Sequence, residues 1–96
     1  MRIMLKAQLP VEKGNEAIAD GTLPKTIEEA MTRLKPEAAY FFAEDGKRTA
    51  LMIFDMDYVS QIPVVAEPFF VNLNADVDFR PVMNAEDLQK GLQALG

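Results

Sequence analysis

The chain contains no cysteine, no histidine and no tryptophan among its 96 residues. Without cysteine there is no disulfide framework, no thiol nucleophile and no thiolate metal site, which fits the cytosol, and a cytoplasmic protein is expected. Without histidine the usual general base near neutral pH and the commonest metal ligand are missing together. Positive charge is also scarce, with ten Lys and Arg against fifteen Asp and Glu, a net charge of −5. The only adjacent basic pair, Lys47-Arg48, falls at a turn, so no phosphate-facing surface forms and no nucleic-acid partner is expected. No run approaches the roughly 20 apolar residues of a membrane helix. The opening "MRIMLKAQLP" has charges inside its apolar run, unlike a signal-peptide core, and no membrane association is expected.

What is present is an ordinary globular composition, 49% apolar and 26% charged. A chain of this length forms one domain, expected to span residues 1–96, and buries about two-thirds of its unfolded surface. Arg2 to Leu9 alternates, with Ile3, Leu5, Ala7 and Leu9 on one face and Met4, Lys6 and Gln8 on the other, which predicts a strand. "VEKGNEAIADG" reads as a weak helix, interrupted by Gly14 and stopped at Gly21. Thr22 reads as the N-cap of a second helix with Pro24 in its first turn. Ile27, Ala30, Met31 and Leu34 share one face of it, Glu29 and Arg33 pair on the other, and Pro36 ends it.

"AAYFFAEDGKRTALMIFDMD" predicts a hairpin turning on Asp45-Gly46. Both faces of that hairpin are apolar, so the pattern leaves open which of them meets the helices. A further helix carries Ile62, Val65, Ala66, Phe69, Phe70 and Leu73 along one stripe, with Asp57 or Ser60 as its cap and Pro68 as an internal kink. "ADVDFRPVM" is a last strand, placed at a sheet edge because Pro81 has no N–H to donate. Asn84 caps a terminal helix bearing Leu88, Leu92 and Leu95. The resulting order predicts an α+β fold of the ferredoxin-like βαββαβ kind with a C-terminal helix, in which the two long helices cover one face of a four-stranded antiparallel sheet. The other face, on the order of 300 Å² in projection, would be left open. A large apolar patch of that kind calls for a cover, and a second copy packed sheet against sheet supplies one.

The runs "LPVEKGNEAIADGTLPKTI", "LKPEAAYFFAEDGKRTA", "IPVVAEPFF" and "NADVDFRPVM" resemble the dimeric α+β barrel superfamily, and more closely a group of small bacterial proteins within it. The resemblance covers nearly the whole chain and implies a ferredoxin-like subunit and a homodimer with internal pockets, but no reaction. Other members of the superfamily include cofactor-free monooxygenases, muconolactone isomerase-like enzymes and haem-degrading enzymes. Several of these depend on His or Asn-Trp-His sets that this sequence does not contain, and haem ligation by histidine is excluded.

If the more apolar face of the first and last strands meets the helices, Lys6, Gln8, Asp78 and Arg80 point into the space between subunits. There Lys6 and Arg80 suit an anionic ligand, and Tyr40 offers a hydroxyl; a simple pairing of these cations with Asp78 is the structural alternative. Asp55 and Asp57 lack the further oxygen donors of a cation site, so no metal is expected, and no cofactor. "GKRTALMIF" lacks the interleaved aromatics of an RNA-reading strand. The leading expectation is a homodimeric α+β barrel binding a small apolar or anionic molecule between its subunits. One alternative is a cofactor-independent isomerase or monooxygenase acting on a small cyclic substrate. The other is a non-enzymatic structural or regulatory protein whose interior is filled by Met52 and Phe54.

Overall fold

A computed structural model describes all 96 residues. The alternating segment forms β1 (Arg2–Gln8), followed by α1 (Val11–Ala19) and α2 (Thr22–Leu34), the hairpin strands β2 (Ala38–Glu44) and β3 (Lys47–Asp55), then α3 (Ile62–Leu73), β4 (Asp76–Pro81) and α4 (Ala85–Gln93). The strands make one antiparallel sheet in the order β2-β3-β1-β4. This is the ferredoxin-like arrangement, with β1 and β3 central. Pro81 lies on an edge strand, where its missing donor costs no ladder bond.

Alternation in β1 settles the two faces. Ile3, Leu5 and Ala7 are buried against the helices together with Leu9, while Met4, Lys6 and Gln8 face the other way. Pairing then settles the hairpin: Ala50, Met52 and Phe54 stand opposite Ala7, Leu5 and Ile3 and share their burial. The core therefore joins these residues to Ala17, Ala30, Val65, Phe69 and Leu73 of the helices. Tyr40, Phe42, Leu51 and Ile53 are left on the open face. Met52 and Phe54 do not fill that face, as the non-enzymatic alternative required, because the register commits them to the helical core.

Gly14 does not interrupt α1. The helix runs through it, and the glycine is buried. At the next boundary the Asp20 carboxylate accepts the Thr22 N–H at 2.9 Å, and Gly21 stands in the left-handed region with φ 82°. The Thr22 hydroxyl and this N–H together hold the Asp20 carboxyl below its ordinary pKa. The hairpin turn places both Asp45 (φ 53°) and Gly46 (φ 73°) at positive φ, as a type I′ turn requires.

Two expected contacts differ. Arg33 does not pair with Glu29; its guanidinium crosses to α3 and donates to the Val64 carbonyl at 3.1 Å. Neither Asp57 nor Ser60 caps α3. A single 3-10 turn, Val59–Gln61, precedes the helix, and the Gln61 Oε1 accepts the N–H groups of Asp57 and Tyr58, both at 2.9 Å. That side chain closes the turn ahead of the helix, and α3 itself has no side-chain cap. At the C-terminal end, the Asn84 side-chain Oδ1 accepts the Asp87 N–H at 2.8 Å, and the Asp87 carboxylate accepts the Asn84 N–H in return. That reciprocal box starts α4, which buries none of its residues.

Candidate functional site

The open face is organised in cross-strand rows. Lys6 lies between Leu51 and Asp78, with Tyr40 beyond Leu51. Gln8 lies between Thr49 and Asp76, with Phe42 beyond Thr49, and Met4 lies between Ile53 and Arg80. All five residues expected at a site thus share one face. A depression of about 220 Å³ gathers Lys6, Asp78 and Arg80 with Met4, Phe42, Glu44 and Leu51. Tyr40 and Gln8 lie outside it. Tyr40 is 59% exposed at the sheet edge. The Gln8 amide instead donates to the Glu44 carbonyl at 3.1 Å and bolsters the hairpin.

Lys6 does not pair with its register neighbour Asp78. Its ammonium reaches diagonally to the Glu44 carboxylate, so Asp78 and Arg80 are left without ion-pair partners. An amine held against a carboxylate is not the isolated, desolvated amine that base chemistry needs. What the face offers is a mixed surface: two cations and two carboxylates between a methionine, a leucine and a phenylalanine. The exposed Arg80 guanidinium presents a planar fork suited to a carboxylate or phosphate.

α4 is tied to the same side. Arg2 continues the open-face phase of β1 and donates to Glu37 at 2.5 Å and to Asp87 at 2.9 Å. The Glu37 hydrogen bond, ahead of the charges of Glu37 and Asp87, raises the Arg2 pKa above its ordinary value. The leucines of α4 gain little from this anchor: Leu88, Leu92 and Leu95 all remain exposed.

A second concavity was not foreseen. On the helix side, a groove of about 580 Å³ separates α1 and α2 from the distal half of the hairpin. Leu9, Ile18, Leu23, Ile27, Phe41 and Ala50 supply its apolar lining, and Arg48 and Glu28 stand at its margin. It exists because the helices do not extend over β2, which leaves Phe41 56% exposed on the face that elsewhere is core. In the sequence the only trace is an apolar residue in each phase of β2.

No family model matches the chain, and no curated protein matches it. Among solved structures it is similar to the de novo designed protein Ferredog-Diesel, with a TM-score of 0.54 and 10% identity over 84% of this chain and 85% of that one. At that identity the likeness establishes the ferredoxin-like fold alone. No helix is long and apolar enough to cross a membrane.

Proposed function

We propose that the chain is a self-associating α+β domain, in which two copies meet on their open sheet faces and hold a small anionic or apolar molecule between them. The observation that carries this reading is the open-face depression itself. Lys6 and Arg80 converge there with Met4, Leu51 and Phe42, beside an exposed Tyr40. Aromatic, methionine and arginine side chains are the types enriched at protein interfaces. Large apolar side chains there are worth about 1.5–3 kcal/mol each when covered. The catalytic alternative, a cofactor-independent isomerase or monooxygenase, draws no support from the geometry. Its candidate base is ion-paired, and Tyr40, Asp78 and Arg80 are exposed.

Light scattering at micromolar concentration tests the association. The expected mass is twice that of the 10.7 kDa chain, and Leu51→Glu, placing a charge at the centre of the face, is expected to return it to the monomer without unfolding it. A monomeric wild type that binds no hydrophobic dye would overturn the reading.

A further inference from the structure

The helix-side groove is more than a gap in packing, because one of its margins is built. Arg48 belongs to the helix-facing phase of β3, two residues before Ala50, and its side chain lies across α1 at Gly14. A Cβ on Gly14 would stand 2.7 Å from the Arg48 Nη1 and 3.3 Å from its Cδ, so the absence of a side chain there is what lets the guanidinium lie down. Asn15 then fixes it by accepting from Nη1 at 3.1 Å. Helix interiors disfavour glycine by roughly 1 kcal/mol relative to alanine, and here the glycine's one visible effect is to seat an arginine.

That arginine has no carboxylate partner. It stands at the margin of a groove whose apolar walls include Leu9, Ile18, Leu23, Ile27, Phe41 and Phe42. Glu28 is also on the margin but is exposed on α2 and makes no ion pair with Arg48. The volume of about 580 Å³ falls within the range of small-molecule sites, which pair an apolar lining with a few placed polar groups. We infer that this groove binds an amphipathic carboxylate, its acid group taken by Arg48 and its hydrocarbon body laid along Ile18, Leu23, Ile27 and Phe41. A guanidinium donates two parallel N–H bonds to the two oxygens of a carboxylate in a matching fork, a match that an alcohol or an ammonium headgroup does not reproduce. The site opens on the other face of the sheet from the depression at Lys6 and Arg80 and shares only Phe42 with it, so the Arg48 end stands whether or not the open faces associate.

The probe is decanoate, compared with decanol and decyltrimethylammonium, in titrations of the full chain followed by amide and methyl NMR. Decanoate is expected to saturate with shifts at Arg48, Ile18, Ile27 and Phe41, and to bind at least about tenfold more tightly than the other two, the worth of a charge-assisted pair. Arg48→Gln is expected to erase that preference while leaving decanol binding as it was. Gly14→Ala, which keeps Arg48 but displaces it, is expected to weaken decanoate by a similar factor in a protein that melts no lower than wild type. Lys90→Gln, a charge removed elsewhere, is expected to change nothing. Equal affinity for the three probes, shifts confined to the open face, or unchanged decanoate affinity in Arg48→Gln would each overturn the inference. So would groove resonances that move with protein concentration and exclude the probe, because the occupant would then be a second copy of the chain.

Discussion

The Arg33 guanidinium of α2 donates to the Val64 carbonyl of α3 at 3.1 Å, and Pro68 is the reason that carbonyl is free. Residue 68 would ordinarily donate its N–H to Val64 four residues back, and proline has none. The orphaned acceptor is met by a neighbouring helix rather than by its own. Arg33→Ala is expected to cost about 0.5–1.5 kcal/mol, the net worth of one hydrogen bond. In a Pro68→Ala background, where the helix can close its own bond, that cost should shrink toward zero. Urea denaturation of the four proteins in this cycle reads the coupling directly, and additive costs would show that the two residues do not share the carbonyl.

Leu5 and Met52 face each other across β1 and β3, each with 0% exposure. Truncating either to alanine opens a cavity in a core with little room to collapse, and the expected loss is about 2–5 kcal/mol. The double variant should lose less than the sum, because each side chain is part of the wall of the other's cavity. Equilibrium denaturation at constant m-value checks both statements.

Asp20 gives the acid side of the stability profile a specific contributor. Its folded pKa is lowered, chiefly by the Thr22 hydroxyl and then by the Thr22 N–H. A carboxyl with a depressed folded pKa adds stability that is fully present above its unfolded value, about 3.9, and is lost as pH falls through the folded value. Asp20→Ala should therefore be less stable than wild type at pH 7, and the difference should close as the pH is brought below 4. A gap that persists at low pH would place the effect in backbone conformation instead.

Removal of residues 85–96 tests how independent α4 is. The helix buries nothing and is tied to the sheet by the half-buried Arg2–Asp87 pair. Ion pairs still in contact with water contribute about 0–1 kcal/mol. The shortened chain is expected to keep its stability within about that margin, with the far-UV helical signal reduced by one helix.

The sequence patterns reached different depths at different residues. β1 was readable to the face because its two phases differ in chemistry: Ile3, Leu5 and Ala7 against Lys6 and Gln8. Pro81 likewise announced an edge through a missing donor. The hairpin was readable as a hairpin but not as a surface, since sliding an all-apolar strand by one residue exchanges two equivalent faces. The choice came from β1, whose buried residues oppose Ala50, Met52 and Phe54. The open-face set of Lys6, Gln8, Tyr40, Asp78 and Arg80 followed from strand phase. The ion pair within it did not, because Lys6 passes over its register neighbour Asp78 for the more distant Glu44. The groove lay out of reach altogether. It depends on how far two helices extend across a sheet, and on an arginine meeting a glycine thirty-four positions earlier in the chain.

The central place of β1 also bears on when the fold can be completed. β1 is the first strand to be synthesised, yet one of its two ladders joins it to β4, with Ile3 opposite Pro81. Until β4 has left the ribosome, one edge of β1 carries unanswered amides and carbonyls, and the Leu5–Met52 layer lacks the strand that closes its flank. The hairpin can form early, since its contacts are local, but the sheet cannot close before β4 is available to pair with β1. A nascent chain of this protein therefore carries a sticky inner strand from the synthesis of β1 until that of β4, the condition under which long-range pairing is slow and open to interception by other chains.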